Sequence, residues 1–242
     1  MHKKSILLWT VAIAAPVLVI LWQLLFREIS WYVVSAAVLL LSAVPFLLRF
    51  ERRKTTAREA ALLATLIALA VVSRAAFFLV PQVKPVAAVV IVSAACLGAE
   101  SGYIIGVFTA FISNFIFGQG LWTPYQMFAL GTVGLLAGLL FYRKRPSTGR
   151  PLAFRLTLSA VGFVLAFAVY GLLVDISTVL VTYGNRVTVQ GVLSVYAAGV
   201  PFSLLFGAST AVFLFLFGES FIRKVDRIIV KYRLAEPPQS CC

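Results

Sequence analysis

The chain has 242 residues, 62% of them apolar and 12% charged, with a net charge of +13 and a mean hydropathy of +1.01. That composition excludes an ordinary soluble domain and identifies an all-α polytopic membrane protein, because a helix satisfies its own backbone polar groups in lipid. The positive charge, which in a soluble chain would suggest nucleic acid, is accounted for by its placement. Of the 21 Lys and Arg, 17 lie at Lys3 and Lys4, between Arg49 and Arg58, between Arg143 and Arg155, and between Arg223 and Arg233. Those regions fall on one side if eight spans are drawn, the positive-inside pattern with both termini cytoplasmic. They also suit contact with anionic lipid, and no nucleic-acid partner is expected.

A span needs about 20 apolar residues, and eight candidates follow in order: 5–26, 30–50, 58–80, 85–97, 101–117, 126–142, 153–174 and 196–221. Pro16 interrupts the first without a small-residue cleavage pattern after it, so the run is expected to be a retained helix rather than a signal peptide. The first two spans, residues 1–54, form an accessory pair, set apart by the charged stretch from Arg49 to Arg58. Residues 55–235 form a six-helix core that carries nearly every unusual polar residue, and residues 236–242 form a polar tail. The fourth and fifth spans are short and are expected to turn at Gly98 to Gly102, where two glycines and Glu100 interrupt the apolar run. Three connections then share the outer side: Pro81 to Pro85, Gly118 to Tyr125, and the stretch from Asp175 to Val195. The third exceeds what a hairpin needs, which suggests a lid or gate.

Catalysis finds little to work with. The chain has one histidine and eight carboxylates, mostly at helix ends or in tails, so no catalytic cluster, metal set or cofactor site is expected. Cys96 and the terminal pair Cys241 and Cys242 have no disulfide or metal spacing. No GxxxxGK[ST] phosphate loop occurs, so any ATP that drives this protein is hydrolysed elsewhere.

Ala60, Ala64 and Ala68 recur at four-residue spacing and share one helix face, where small side chains let another helix backbone approach. Ordinary packing of an alanine-rich helix would give the same spacing. This helix, the PQVKP that follows it, the short hairpin and SNFIFGQGLWTPYQM (113–127) with Gly131, Gly134 and Gly138 after it resemble the substrate-binding S components of energy-coupling factor (ECF) transporters. The resemblance covers roughly residues 55 to 230 and is closest to the cobalamin-specific branch, from which Leu121 and Tyr125 depart. The two N-terminal spans exceed that family's six-helix core.

The resemblance implies a non-catalytic vitamin-binding subunit in a bacterial plasma membrane. Such a subunit captures cobalamin or another corrinoid outside, then docks on a membrane scaffold subunit powered by two cytoplasmic ATPases. It implies that Ala60, Ala64 and Ala68 form the docking face, and that Gly118 to Gln126 and Pro81 to Pro85 border the ligand. Riboflavin or a similar vitamin, and a stand-alone secondary transporter, are the competing expectations.

The residues give candidate ligand contacts. Arg74 lies 16 residues beyond Arg58, about 24 Å along a helix at about 1.5 Å per residue, toward the outer end of its span. There it can meet a ligand or snorkel. Asn114, Gln119 and Gln126 offer amides, Trp122 and Tyr125 offer rings at a Pro-fixed turn, and Tyr196 is a further aromatic candidate. With Lys84 and Arg186, the outer side leans cationic and favours phosphate, carboxylate or amide oxygen.

Overall fold

The computed structural model describes residues 14–22, 33–38, 40, 41, 56–142 and 152–232. The expected tail 236–242, most of the basic loop residues and parts of the accessory pair lie outside the described residues. Among the described residues there is no strand, and five helices are long and apolar enough to cross a membrane. The protein is an all-α polytopic membrane protein.

Among the described residues, six helices follow the accessory pair. Helix α1 (Ala57–Ala76) starts at Thr56, whose hydroxyl accepts the Glu59 amide at 3.2 Å, a side-chain cap of the first turn. It buries Leu62, Leu66, Ala70 and Val71 and leaves Ala60, Ala64 and Ala68 exposed. Helix α2 (Val86–Leu97) has only 12 residues, ten of them buried. An apolar helix with so little exposed surface belongs at the centre of a bundle, and α1, α3 and α4 pack around it.

One residue, Gly98, separates α2 from α3 (Ala99–Phe117), and its φ of 94° suits glycine. The expected five-residue turn thus contracts to Gly98, and Glu100 lies in the first turn of α3.

Helices α3 and α4 (Thr123–Phe141) are in backbone contact. A Cβ on Gly134 would strike the Gly102 carbonyl, one on Gly106 the Leu130 carbonyl, and one on Gly138 the backbone of Ala99. Membrane helices gain no burial advantage over lipid, so small residues that permit such approach drive this association. The hairpin turns at Gly118, with φ 98°, and Pro124 stands in the first turn of α4, where its missing N–H costs nothing.

The last two helices are much longer. Helix α5 (Leu152–Tyr183) has 32 residues and α6 (Val189–Tyr232) has 44. They lie antiparallel: the Tyr170 and Phe206 rings meet tilted with centroids 4.8 Å apart, Gly171 faces Ser203 and Gly199 faces Asp175, and the Tyr183 and Ser194 hydroxyls meet at 3.2 Å. Each contains a π-helical segment, Leu165–Tyr170 in α5 and Leu214–Gly218 in α6. The final turns of α6, from Glu219, bury Ile222, Val225 and Ile229 on one face and expose Arg223, Lys224, Arg227 and Lys231.

This pair corrects one expectation. The stretch from Asp175 to Val195 is no lid: it is helical except at Val187 and Thr188, with the turn held by the 3-10 segment Gly184–Arg186. Nothing between Ile176 and Thr182 breaks a helix, and continuing it satisfies the backbone in lipid. The first helix break is Gly184, at φ 54°.

The described part of the accessory pair packs on the core. Ile20, Val34 and Val38 are buried in one cluster with Tyr125, Phe128, Val179, Leu180 and Val187, and the Ser35 hydroxyl donates to the Leu121 carbonyl at 3.4 Å. The pair therefore covers the junction between the start of α4 and the far half of α5.

Candidate polar site at the Arg74 end

The close α3–α4 hairpin brings residues on either side of Gly118 face to face. Asn114, 1% exposed, donates from one amide nitrogen to Thr123 Oγ1 at 3.1 Å and to Gln126 Oε1 at 2.8 Å. Thr123 Oγ1 also accepts the Gly120 amide at 3.2 Å, fixing the turn. With its nitrogen committed, Asn114 presents its carbonyl to α1, where Arg74 Nη1 donates to it at 2.9 Å and also to the Ser113 hydroxyl. The guanidinium of α1 is thus oriented by a relay of amides and hydroxyls from two other helices, α3 and α4. A polar group buried at this depth requires such partners.

Phe117 completes the arrangement. The Arg74 guanidinium lies 4.4 Å from its ring centroid and the Lys84 ammonium 4.9 Å from the same ring, both within cation–π range. Lys84 is held there by a constrained loop: Gln82 has φ 58°, strained for a non-glycine residue, and its carbonyl accepts from Ser209 of α6 at 3.4 Å. Burial, and secondarily the Arg74 charge, hold the Lys84 ammonium below the ordinary lysine range.

The candidate residues therefore separate into groups. Arg74, Asn114 and Gln126 form one network, and Lys84 joins it across Phe117. Gln119 is exposed at the rim and donates to the Phe111 carbonyl at 3.1 Å. Trp122 is 40% exposed, with its ring against Gly120, where a Cβ would collide with it. Tyr125 is 2% exposed and turned into the cluster beneath Val34 and Val38. Arg186 is exposed in the α5–α6 turn, and the Tyr196 hydroxyl donates to the Leu172 carbonyl at 3.0 Å.

Ser113 and Phe117 belong to the site and were not among the sequence candidates, and Thr123 was included only within the stretch from Gly118 to Gln126. The hydroxyls could have been found, since Ser113 adjoins Asn114 and Thr123 lies three residues before Gln126. Among the described residues no group of three or more His, Cys, Asp or Glu is placed to hold a metal ion.

Residues 54–227 match the model of a family of unknown function (DUF6580). No curated protein and no solved structure matches the chain.

Proposed function

The chain belongs to DUF6580, a family of unknown function, and we propose that it is the substrate-binding subunit of an ECF-type vitamin uptake transporter, with cobalamin or another corrinoid as ligand. The Arg74 end faces outward and captures the vitamin. The chain itself does no chemistry: a membrane scaffold subunit and two cytoplasmic ATPases move the ligand, and both termini face the cytoplasm of a bacterial cell.

One observation carries this proposal. The single helix α1 carries Arg74 in its last turn, inside the polar network, while along its length Ala60, Ala64 and Ala68 remain exposed. A ligand-sensing end and a smooth outer ridge on one rigid element suit a subunit that binds at one site and docks through another. Small side chains allow the partner helix to approach closely.

The test is equilibrium binding of cobalamin and of riboflavin to the purified chain, together with vitamin uptake by cells that co-express scaffold and ATPase subunits. Saturable binding with partner-dependent uptake supports the proposal. The absence of both vitamin binding and uptake would overturn it.

A stand-alone secondary transporter is favoured by one feature, Asp175. This carboxylate sits within α5 against Gly199, and ionisable groups inside spans commonly serve ion coupling. Uptake without partner subunits, abolished by Asp175→Asn, would select that carrier.

A further inference from the structure

We propose that the Arg74 end is an anion site: the ligand carries a phosphate or carboxylate group that seats against the unused donors of Arg74 and the ammonium of Lys84. The inference rests on the transport proposal and deepens it by naming the chemistry of what is captured.

Charge balance is the first argument. Arg74 and Lys84 lie over one ring, and neither forms an ion pair among the described residues. Glu59 is 15 residues back along α1, about 22 Å away. Glu100 occupies the opposite end of α3, and Asp175 abuts Gly199 instead. A cation–π contact recovers only part of what it costs to withdraw an ion from water. The Phe117 ring alone therefore does not offset two partly buried like charges. An anion between them would.

Donor geometry is the second. Only Nη1 of Arg74 is engaged, by Ser113 and Asn114, and Nη2 and Nε have no hydrogen-bond partner among the described residues. A guanidinium held by one nitrogen through an amide relay presents its remaining edge in a fixed direction. That edge is the fork which matches the two oxygens of a carboxylate or phosphate. Lys84 makes no hydrogen bond among the described residues, so its three donors are available to the same anion.

A soluble substrate and a lipid headgroup could both supply this group. The deciding experiment uses the full chain in phosphatidylcholine nanodiscs and follows thermal unfolding with inorganic phosphate and pyrophosphate, against sodium chloride at matched ionic strength. The expected result is a phosphate-specific rise of several degrees, lost in Arg74→Gln, weakened at least tenfold in apparent affinity by Lys84→Gln, and retained in Arg155→Gln. No phosphate-specific rise in the wild type, or an equal rise in both Arg74→Gln and Lys84→Gln, overturns the anion site. Stabilisation by phosphatidylglycerol nanodiscs alone overturns its assignment to a soluble substrate. Failure here is distinguishable from failure of the transport proposal: cobalamin binding without any phosphate effect leaves transport standing, and phosphate binding without vitamin binding or uptake does the reverse.

Discussion

The two ends of the helix bundle treat a half-buried arginine in opposite ways. At one end Arg155 of α5 donates to the Phe215 carbonyl at 2.6 Å, lies over the Phe215 ring at 4.6 Å and approaches Glu219 at 4.0 Å. Glu219 in turn pairs with Arg223 at 3.5 Å. At the other end Arg74 also lies over a phenylalanine, but its companion is a second cation. Arg155 has the partners of a structural residue that ties α5 to α6. Arg74 has an orienting network and no counter-charge among the described residues, as expected of a residue that awaits a ligand.

Breaking the comparison starts with function. On the proposed role, Ala64→Trp abolishes partner-dependent uptake while equilibrium vitamin binding stays within twofold, because Ala64 is exposed and lies ten residues before Arg74, about 15 Å along α1. Unchanged uptake would remove the docking role from α1. Next, Gly134→Leu drives a side chain into the Gly102 carbonyl and parts the α3–α4 hairpin, so the variant should lose most of its folded yield by size-exclusion chromatography. Retention of wild-type yield and melting temperature would show that the close approach is not what aligns Asn114 with Gln126.

Smaller effects sharpen the contrast. Trp122→Ala should weaken vitamin binding about tenfold, about 1.4 kcal/mol, and wild-type affinity would return that ring to ordinary interfacial placement. Lys84 predicts a pH dependence. Only its charged form attracts an anion, and its pKa is lowered, so anion affinity should fall as pH rises through a window below the ordinary lysine value of about 10.4. The Lys84→Gln variant should be flat over that range. Identical profiles in the two proteins would exclude Lys84 from the site.

Much of the first half of the core was legible in the sequence, for physical reasons. Gly98 and Gly118 interrupt apolar runs where positive φ is needed, and the polar cluster from Ser113 to Gln126 straddles the second of these turns, so the meeting of Asn114 and Gln126 follows from the hairpin. The far half of the α5–α6 pair was not legible. The length of the stretch from Asp175 to Val195 suggested a lid, yet the chain from Ile176 to Thr182 is apolar enough to stay helical in lipid. Phe117 was hidden for a different reason. One phenylalanine among 20 in an apolar chain carries no signal until Arg74 and Lys84 are placed over it.

The most direct test of the account is a cobalamin titration of wild-type and Arg74→Gln protein in the same nanodisc preparation, with Arg155→Gln as the structural comparison. Saturable wild-type binding, a loss of at least 100-fold in Arg74→Gln, about 2.7 kcal/mol, and near-normal affinity in Arg155→Gln are the predicted results. Equal affinity in all three proteins, or no wild-type binding, would contradict it.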